Sequence, residues 1–207
     1  MTMQAANAEK ERWIVGITGA SGAIYGVKLC EFLLAHGYHL HLIITDAGWR
    51  VLEQELGWSA SRRLETLEQK FSGFPGRFQY EPIRDIGASI ASGSYRTRGM
   101  VIAPCSMGTL AGIAAGISDN LMKRAADVML KEGRKLILVP RETPLHAIHL
   151  ENMLKLAQMG ATILPAMPAF YQKPASMEDL VHFLVGKILD NMGIEHQLFR
   201  RWGEEQP

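Results

Sequence analysis

Short apolar runs alternate with amphipathic stretches along this chain, and each run is too brief to be a helix. The first is Trp13, Ile14, Val15 and Ile17, which leads into the small residues Gly19, Ala20, Ser21, Gly22 and Ala23. Beyond that turn Ile24, Val27, Leu29, Phe32 and Leu33 recur at helical spacing until Gly37 ends the pattern. Residues 39–45 (HLHLIIT) predict a second strand tipped by Thr45 and Asp46, then a helix through Val51, Leu52 and Glu55. Residues 59–70 read as a charged surface helix, and residues 71–94, rich in Gly, Pro and Ser, as irregular chain. Residues 90–99 (IASGSYRTRG) are a polar loop, either plain surface or a cover for a ligand.

The pattern then resumes. Residues 100–103 predict a buried strand ending in Pro104, Cys105, Ser106, Met107, Gly108 and Thr109, followed by a small-residue helix. Residues 121–132 are a helix closed by Gly133, and residues 135–139 a strand that ends at Pro140, Arg141 and Glu142. Thr143 is the expected cap of the next helix, with Pro144 at its first position. That helix, over 145–159, has Ile148, Met153, Leu154 and Leu156 as its core face, with His146 and His149 as packing or hydrogen-bonding residues. After a strand at 161–164, PAMPAFYQKP presents Phe170 and Tyr171. Ser176 caps a last helix whose stripe is Leu180, Phe183, Leu184 and Ile188, with Lys187 off it. The tail carries Arg200, Arg201 and Trp202, and a terminal tryptophan suggests a contact, often with another subunit. Strands alternating with helices predict an α/β fold: a doubly wound parallel sheet in a flavodoxin/Rossmann-like three-layer sandwich. One domain is expected over residues 13–203, behind a disordered lead at residues 1–12.

Composition narrows the class. The chain has 207 residues, 47% of them apolar, and a net charge of +1, so it is neither a disordered chain nor a nucleic-acid binder driven by bulk charge. Its two cysteines, Cys30 and Cys105, form no C-x-x-C pair, the pattern of a reduced cytoplasmic protein without a structural zinc site. No apolar run reaches membrane-spanning length.

The candidate chemistry sits at strand ends. A strand, a small-residue turn and a helix start expose backbone N–H groups and a helix dipole to an anion. Gly16, Gly19 and Gly22 fall three apart, which is not G-x-G-x-x-G, and no Walker lysine follows. A ligand-free tight connection therefore stays as open as a phosphate cradle. Thr45 offers a hydroxyl where dinucleotide folds place an acid, which suits a different sugar or a mononucleotide, with a simple helix cap as the alternative role for Asp46. Ser106 and Thr109 repeat the arrangement at a second strand end, and two such ends in one parallel sheet open onto the same edge. Arg141 and Glu142 are placed for a site or for a structural ion pair. Arg124 and Lys131, seven apart on one helical face, are by default a solvated basic face. Together with Lys187 and Tyr171 they make a second cationic set, so two phosphate-bearing ligands fit the inventory better than one.

GITGASGA, the SGS loop, APCSMGTLAGI, DNLMKRAADVMLKEGRKLILVPRETP, HLENMLKLAQMGA, PAMPAFYQKP and the closing RRW resemble the UbiX/Pad-type flavin prenyltransferases over residues 13–202. The resemblance implies a flavodoxin-like fold, assembly as a dodecamer of trimers, and transfer of a dimethylallyl group to reduced FMN. The product would be the prenylated FMN used by a UbiD-type decarboxylase. It places FMN against Gly19, Ala20, Ser21, Thr45, Ser106, Met107, Gly108, Thr109 and Arg141. It places dimethylallyl phosphate against Tyr171 and Lys187, with Arg124 and Lys131 completing a phosphate cage and Trp202 closing the site. Ser21, Glu55 and Glu142 take catalytic roles, the two acids handling protons. Ile86 departs from relatives that carry an aromatic there.

The residues suit that chemistry: a departing phosphate needs Arg, Lys and a tyrosine hydroxyl, and an allyl cation gains from aromatic faces. No D-D-x-x-D cluster is present to gather magnesium around a diphosphate, and no metal is expected. Flavin-dependent phosphopantothenoylcysteine or peptidyl-cysteine decarboxylases share the fold. They carry P-A-S-A-N-T and P-x-M-N blocks where this chain has PCSMGT and PAMPAFY. A direct aromatic-acid decarboxylase and a non-catalytic flavin carrier are the remaining alternatives.

Overall fold

In the computed structural model, which describes residues 11–203, the buried apolar runs become strands of one parallel sheet. The first half comprises β1 (Arg12–Ile17), α1 (Ala23–Ala35), β2 (His39–Ile44), α2 (Asp46–Leu56), α3 (Arg63–Phe71) and β3 (Arg77–Glu81). A single 3-10 turn at Ser89–Ala91 precedes β4 (Gly99–Cys105) and α4 (Met107–Ala114). Then come α5 (Leu121–Lys131), β5 (Lys135–Pro140), α6 (Ala147–Gln158), β6 (Thr162–Ile163) and α7 (Met177–Met192). Strand order is β3-β2-β1-β4-β5-β6, with every neighbouring pair parallel. Order reverses between β1 and β4, and ligands of open α/β sheets bind at that switch, outside the carboxyl ends.

Successive strand residues face opposite sides, which creates two cores. Val101, Ala103, Ile137 and Val139 pack with Leu29 and Leu33 of α1 and Leu184 and Ile188 of α7. Met100, Ile102, Leu136 and Leu138 pack the other way, on Leu110 of α4 and Met122, Ala125 and Met129 of α5. The doubly wound, single-domain fold expected from the sequence is the fold observed.

Four local expectations are corrected. The supposedly irregular stretch contains edge strand β3, in which only Phe78 and Tyr80 alternate as apolar residues, so its pattern is faint. Asp46 does not cap α2: the Thr45 hydroxyl accepts from the Gly48 N–H at 2.9 Å, and Asp46 pairs with Arg63 at 2.9 Å. Thr143 and Pro144 do not start α6 either. His146 caps it from an extended backbone, its Nδ1 accepting the His149 N–H at 3.4 Å. Nor does α6 bury the expected face. Leu156 is its one buried residue, while Ile148 and Leu154 are 62% and 59% exposed. The helix lies over the short edge strand β6 and beside α4, too far out to reach the sheet centre. Residues 1–10 of the expected lead fall outside the described residues, and Arg12 already belongs to β1.

Candidate functional site

The carboxyl ends of β1, β4 and β5 meet in one braced rim. Thr18, fully buried, donates its hydroxyl to the Pro104 carbonyl at 2.7 Å and accepts the Ser106 N–H at 2.7 Å. That one side chain locks the two strand tips on either side of the switch point. Arg141 Nε donates to the Ser21 carbonyl at 3.2 Å, which draws the end of β5 to the same turn. The rim thus gathers Gly19, Ala20, Ser21, Ser106, Met107, Gly108, Thr109 and Arg141, with Thr45 at the neighbouring tip of β2.

The two helix starts on this rim differ. Gly22 precedes α1 in the left-handed region (φ 100°), which favours glycine, and no side chain of its own caps the helix. The Glu55 carboxylate does so from α2, accepting the N–H groups of Gly22 at 3.0 and 3.1 Å and of Ala23 at 3.0 Å. The anion position expected at the first turn is therefore filled by the protein's own carboxylate. At α4, Ser106 accepts from the Thr109 N–H at 3.4 Å, and the earlier N–H groups of the first turn have no intrahelical acceptor. A Cβ added at Gly108 would meet nothing within 4 Å, so open space stands before this start. An anion fits here rather than at α1.

Tyr25 lies among the charged groups of this corner. Partial burial pushes its hydroxyl above the usual phenol value, the Glu55 charge adds to the rise, and Arg141 opposes it. Glu142 is exposed and accepts the Thr143 N–H at 3.1 Å. Ile86 is 65% exposed, so this chain presents an aliphatic side chain at the surface there.

A second corner forms where α7 meets the tail. The Tyr171 ring stands edge-on to Trp202 (centroids 5.3 Å apart) and to Phe183 (5.9 Å). These rings, with Phe199, Gln172 and Arg201, help line an open cleft of about 760 Å³. Lys187 is exposed on α7, its Nζ 3.7 Å from an Asp190 oxygen.

Arg124 and Lys131 do not join Lys187 within one chain. They project from α5, on the opposite face of the sheet from α7. Arg124 Nε donates to the Ala91 carbonyl at 3.0 Å and Nη1 pairs with Asp127 at 2.8 Å, while Lys131 pairs with Glu132 at 2.5 Å. The expected single cationic cage is thus split, because alternate strand faces carry α5 and α7 apart. The sequence reading also missed Thr18, Tyr25 and Asp190. Thr18 alone carried a signal, a hydroxyl residue closing an apolar strand.

Among the described residues no helix is long and apolar enough to cross a membrane, and no three His, Cys, Asp or Glu side chains gather to hold a metal. The sequence matches the flavoprotein family over residues 1–189. The flavin prenyltransferase UbiX of Halalkalibacterium halodurans is 58% identical over 194 residues, 94% of either chain. The crystal structure of AnUbiX (PadA1) in complex with FMN and dimethylallyl pyrophosphate matches with a TM-score of 0.86 at 39% identity, covering 95% of this chain and 100% of that one. A dodecameric FMN-dependent UbiX-like decarboxylase from Escherichia coli O157:H7 matches with a TM-score of 0.84 at 46% identity, covering 93% and 100%. The chain belongs to the flavoprotein family and, within it, to the UbiX-type flavin prenyltransferases.

Proposed function

We propose that this protein joins a dimethylallyl group from dimethylallyl phosphate to N5 and C6 of reduced FMN, releasing phosphate, and that a UbiD-type decarboxylase receives the prenylated FMN. One observation carries the reading: a rim of hydrogen-bond donors around open space at the α4 start, in a chain that also has a separate aromatic cleft beside α7, the helix that carries Lys187. The donor set fits a phosphorylated flavin, since backbone N–H groups, hydroxyls and a guanidinium all favour an anion with polar ring edges. When bound, reduced FMN supplies the nucleophilic N5.

The chain's residues do the rest. Gly19, Ala20, Ser21, Thr45, Ser106, Met107, Gly108, Thr109 and Arg141 hold and orient the flavin. Tyr171 and Lys187 hold the donor phosphate, and the Tyr171 and Trp202 rings shield the allyl group from water and face its developing positive charge. Glu55, held at the Gly22 and Ala23 amides, and Glu142 accept and return protons at the flavin edge. Arg124 and Lys131 complete the phosphate site from a second copy of the chain, because their own fold carries them away from it. The exposed apolar residues of α6, Leu150 and Leu154 one turn apart and Ile148 beside them at the helix start, support such assembly, as a dodecamer of trimers. Two buried unpaired thiols agree with a cytoplasmic setting.

A second reading has its own support, since the E. coli relative is named a decarboxylase. Purified protein incubated with reduced FMN and either dimethylallyl phosphate or the pyrophosphate, followed by mass spectrometry, separates the two. The expected result is a flavin heavier by one five-carbon unit, with no carbon dioxide from an aromatic acid in the absence of a partner enzyme. Unchanged flavin together with carbon dioxide release would overturn the transferase reading.

A further inference from the structure

We infer that Asp190 is a positioning residue for the prenyl donor: its single carboxylate fixes the Lys187 ammonium and, through Arg201 and His196, seats the C-terminal segment that brings Trp202 onto Tyr171. The inference rests on the reading of Tyr171, Lys187 and Trp202 as donor-binding residues.

Asp190 lies three residues beyond Lys187 on α7, so the two side chains share a helix face. Its Oδ2 is 3.7 Å from Lys187 Nζ. Arg201 grips both oxygens, Nη2 donating to Oδ1 at 2.7 Å and Nη1 to Oδ2 at 3.3 Å. His196 Nε2 adds a third partner at 3.1 Å from Oδ1. The His196 side chain is fully buried, and its Nδ1 accepts the Leu198 N–H at 3.2 Å. An amide N–H can only donate, so Nδ1 carries no proton and the ring proton sits on Nε2, aimed at Asp190.

The seat for this tail is built into α7. A Cβ at Gly186 would come within 2.5 Å of the Phe199 ring and 2.6 Å of His196 Cε1, so the bare backbone is what lets the tail lie down. From there the Arg200 carbonyl accepts the Gln172 side-chain amide, tying the tail to the loop that carries Tyr171. Trp202 is 82% exposed, so its place over Tyr171 depends on these upstream ties more than on burial. Partial burial pushes the Asp190 carboxyl up, but the Arg201 hydrogen bond and charge, with His196, more than offset it and hold the group below the usual carboxylate value. A charged Asp190 stands at ion-pair distance from the Lys187 ammonium, not in a hydrogen bond, and leaves its N–H donors for phosphate oxygens.

Asp190→Asn keeps the shape and removes the charge. In the assembled protein the expected result is a donor KM raised about 5- to 30-fold, with kcat and FMN affinity within about twofold. Arg201→Gln frees the tail but leaves the Lys187 pair, and should raise the same KM by a smaller factor, about threefold. An unchanged donor KM in Asp190→Asn, or parallel losses of FMN binding, donor use and thermal midpoint, would overturn the inference in favour of a merely structural clamp. Should that variant fail to fold, Arg201→Gln decides, and an unchanged donor KM there overturns it equally. Lys187→Ala separates the two layers. If it leaves donor KM unchanged, the donor-site reading itself fails. If it raises donor KM while Asp190→Asn does not, that reading stands and Asp190 alone is misassigned.

Discussion

The rim at β1, β4 and β5 holds its residues through backbone groups and short side chains at strand ends, whereas the corner at α7 relies on long side chains and a tail. Thr18 bridges two strand tips with both its hydrogen bonds at 2.7 Å, so the rim is tied directly to the sheet. In the corner Lys187 and Trp202 stay largely exposed, and half of the expected phosphate charge sits on the far face of the sheet. The contrast implies a division of labour. Under the proposed function, one chain would suffice to recognise the flavin, and handling the leaving group would need assembly.

The largest effect should come from breaking that assembly. Replacing both Leu150 and Leu154, one turn apart on the exposed face of α6, with Glu places two charges in an apolar contact, each costing on the order of 2 kcal/mol or more. Sedimentation should then show smaller species, with transfer down by about 100-fold or more and FMN affinity reduced far less. Dissociated chains that transfer at the original rate would show the corner to be complete alone. Thr18→Val comes next. It leaves the half-buried Ser106 N–H without its acceptor, at a cost of about 1–3 kcal/mol, while the Pro104 carbonyl keeps the Thr18 backbone N–H at 3.2 Å. Denaturant unfolding should register that loss, and FMN titration a dissociation constant raised about tenfold or more. Lys187→Ala should act on the other region only. Donor KM rises about tenfold while FMN retention stays within about twofold, and equal losses of both would merge the two regions into one.

The rim was legible in the sequence because strand ends are marked by residue types that betray them: glycine in the turn, Ser, Thr and a cation just past apolar runs. The corner was only half legible. Phe170, Tyr171 and Trp202 stood out as aromatics with no stripe to join, but Asp190 looked like any acid near a helix end, and only its three partners reveal it. The splitting of Arg124 and Lys131 from Lys187 was invisible for a topological reason. Which sheet face a helix covers follows from the crossover path, and helical spacing carries no record of it. The misjudged α6 face has a related cause: an apolar stripe looks the same whether it meets the protein's own core or another molecule.

Cys105 offers the smallest expected effect and the sharpest check on the rim as a device of backbone and hydroxyls. It stands in register with Pro140 at the end of β4, next to Ser106, where a thiol nucleophile would be well placed. Yet it is fully buried, and burial pushes its thiol up to about 12. At pH 7 the thiol stays protonated, and the thiolate is the reactive form. Iodoacetamide should therefore leave the folded protein unlabelled at this position. Cys105→Ser exchanges a small buried hydrophobe for a hydroxyl whose nearest acceptor is the Ser106 carbonyl, 3.7 Å from the sulfur. A stability loss of about 1 kcal/mol should follow, seen in denaturant unfolding, with turnover within about twofold of the original. Turnover lost while stability and FMN binding persist would put the thiol in the chemistry, and the rim could no longer be read as a passive holder of the flavin.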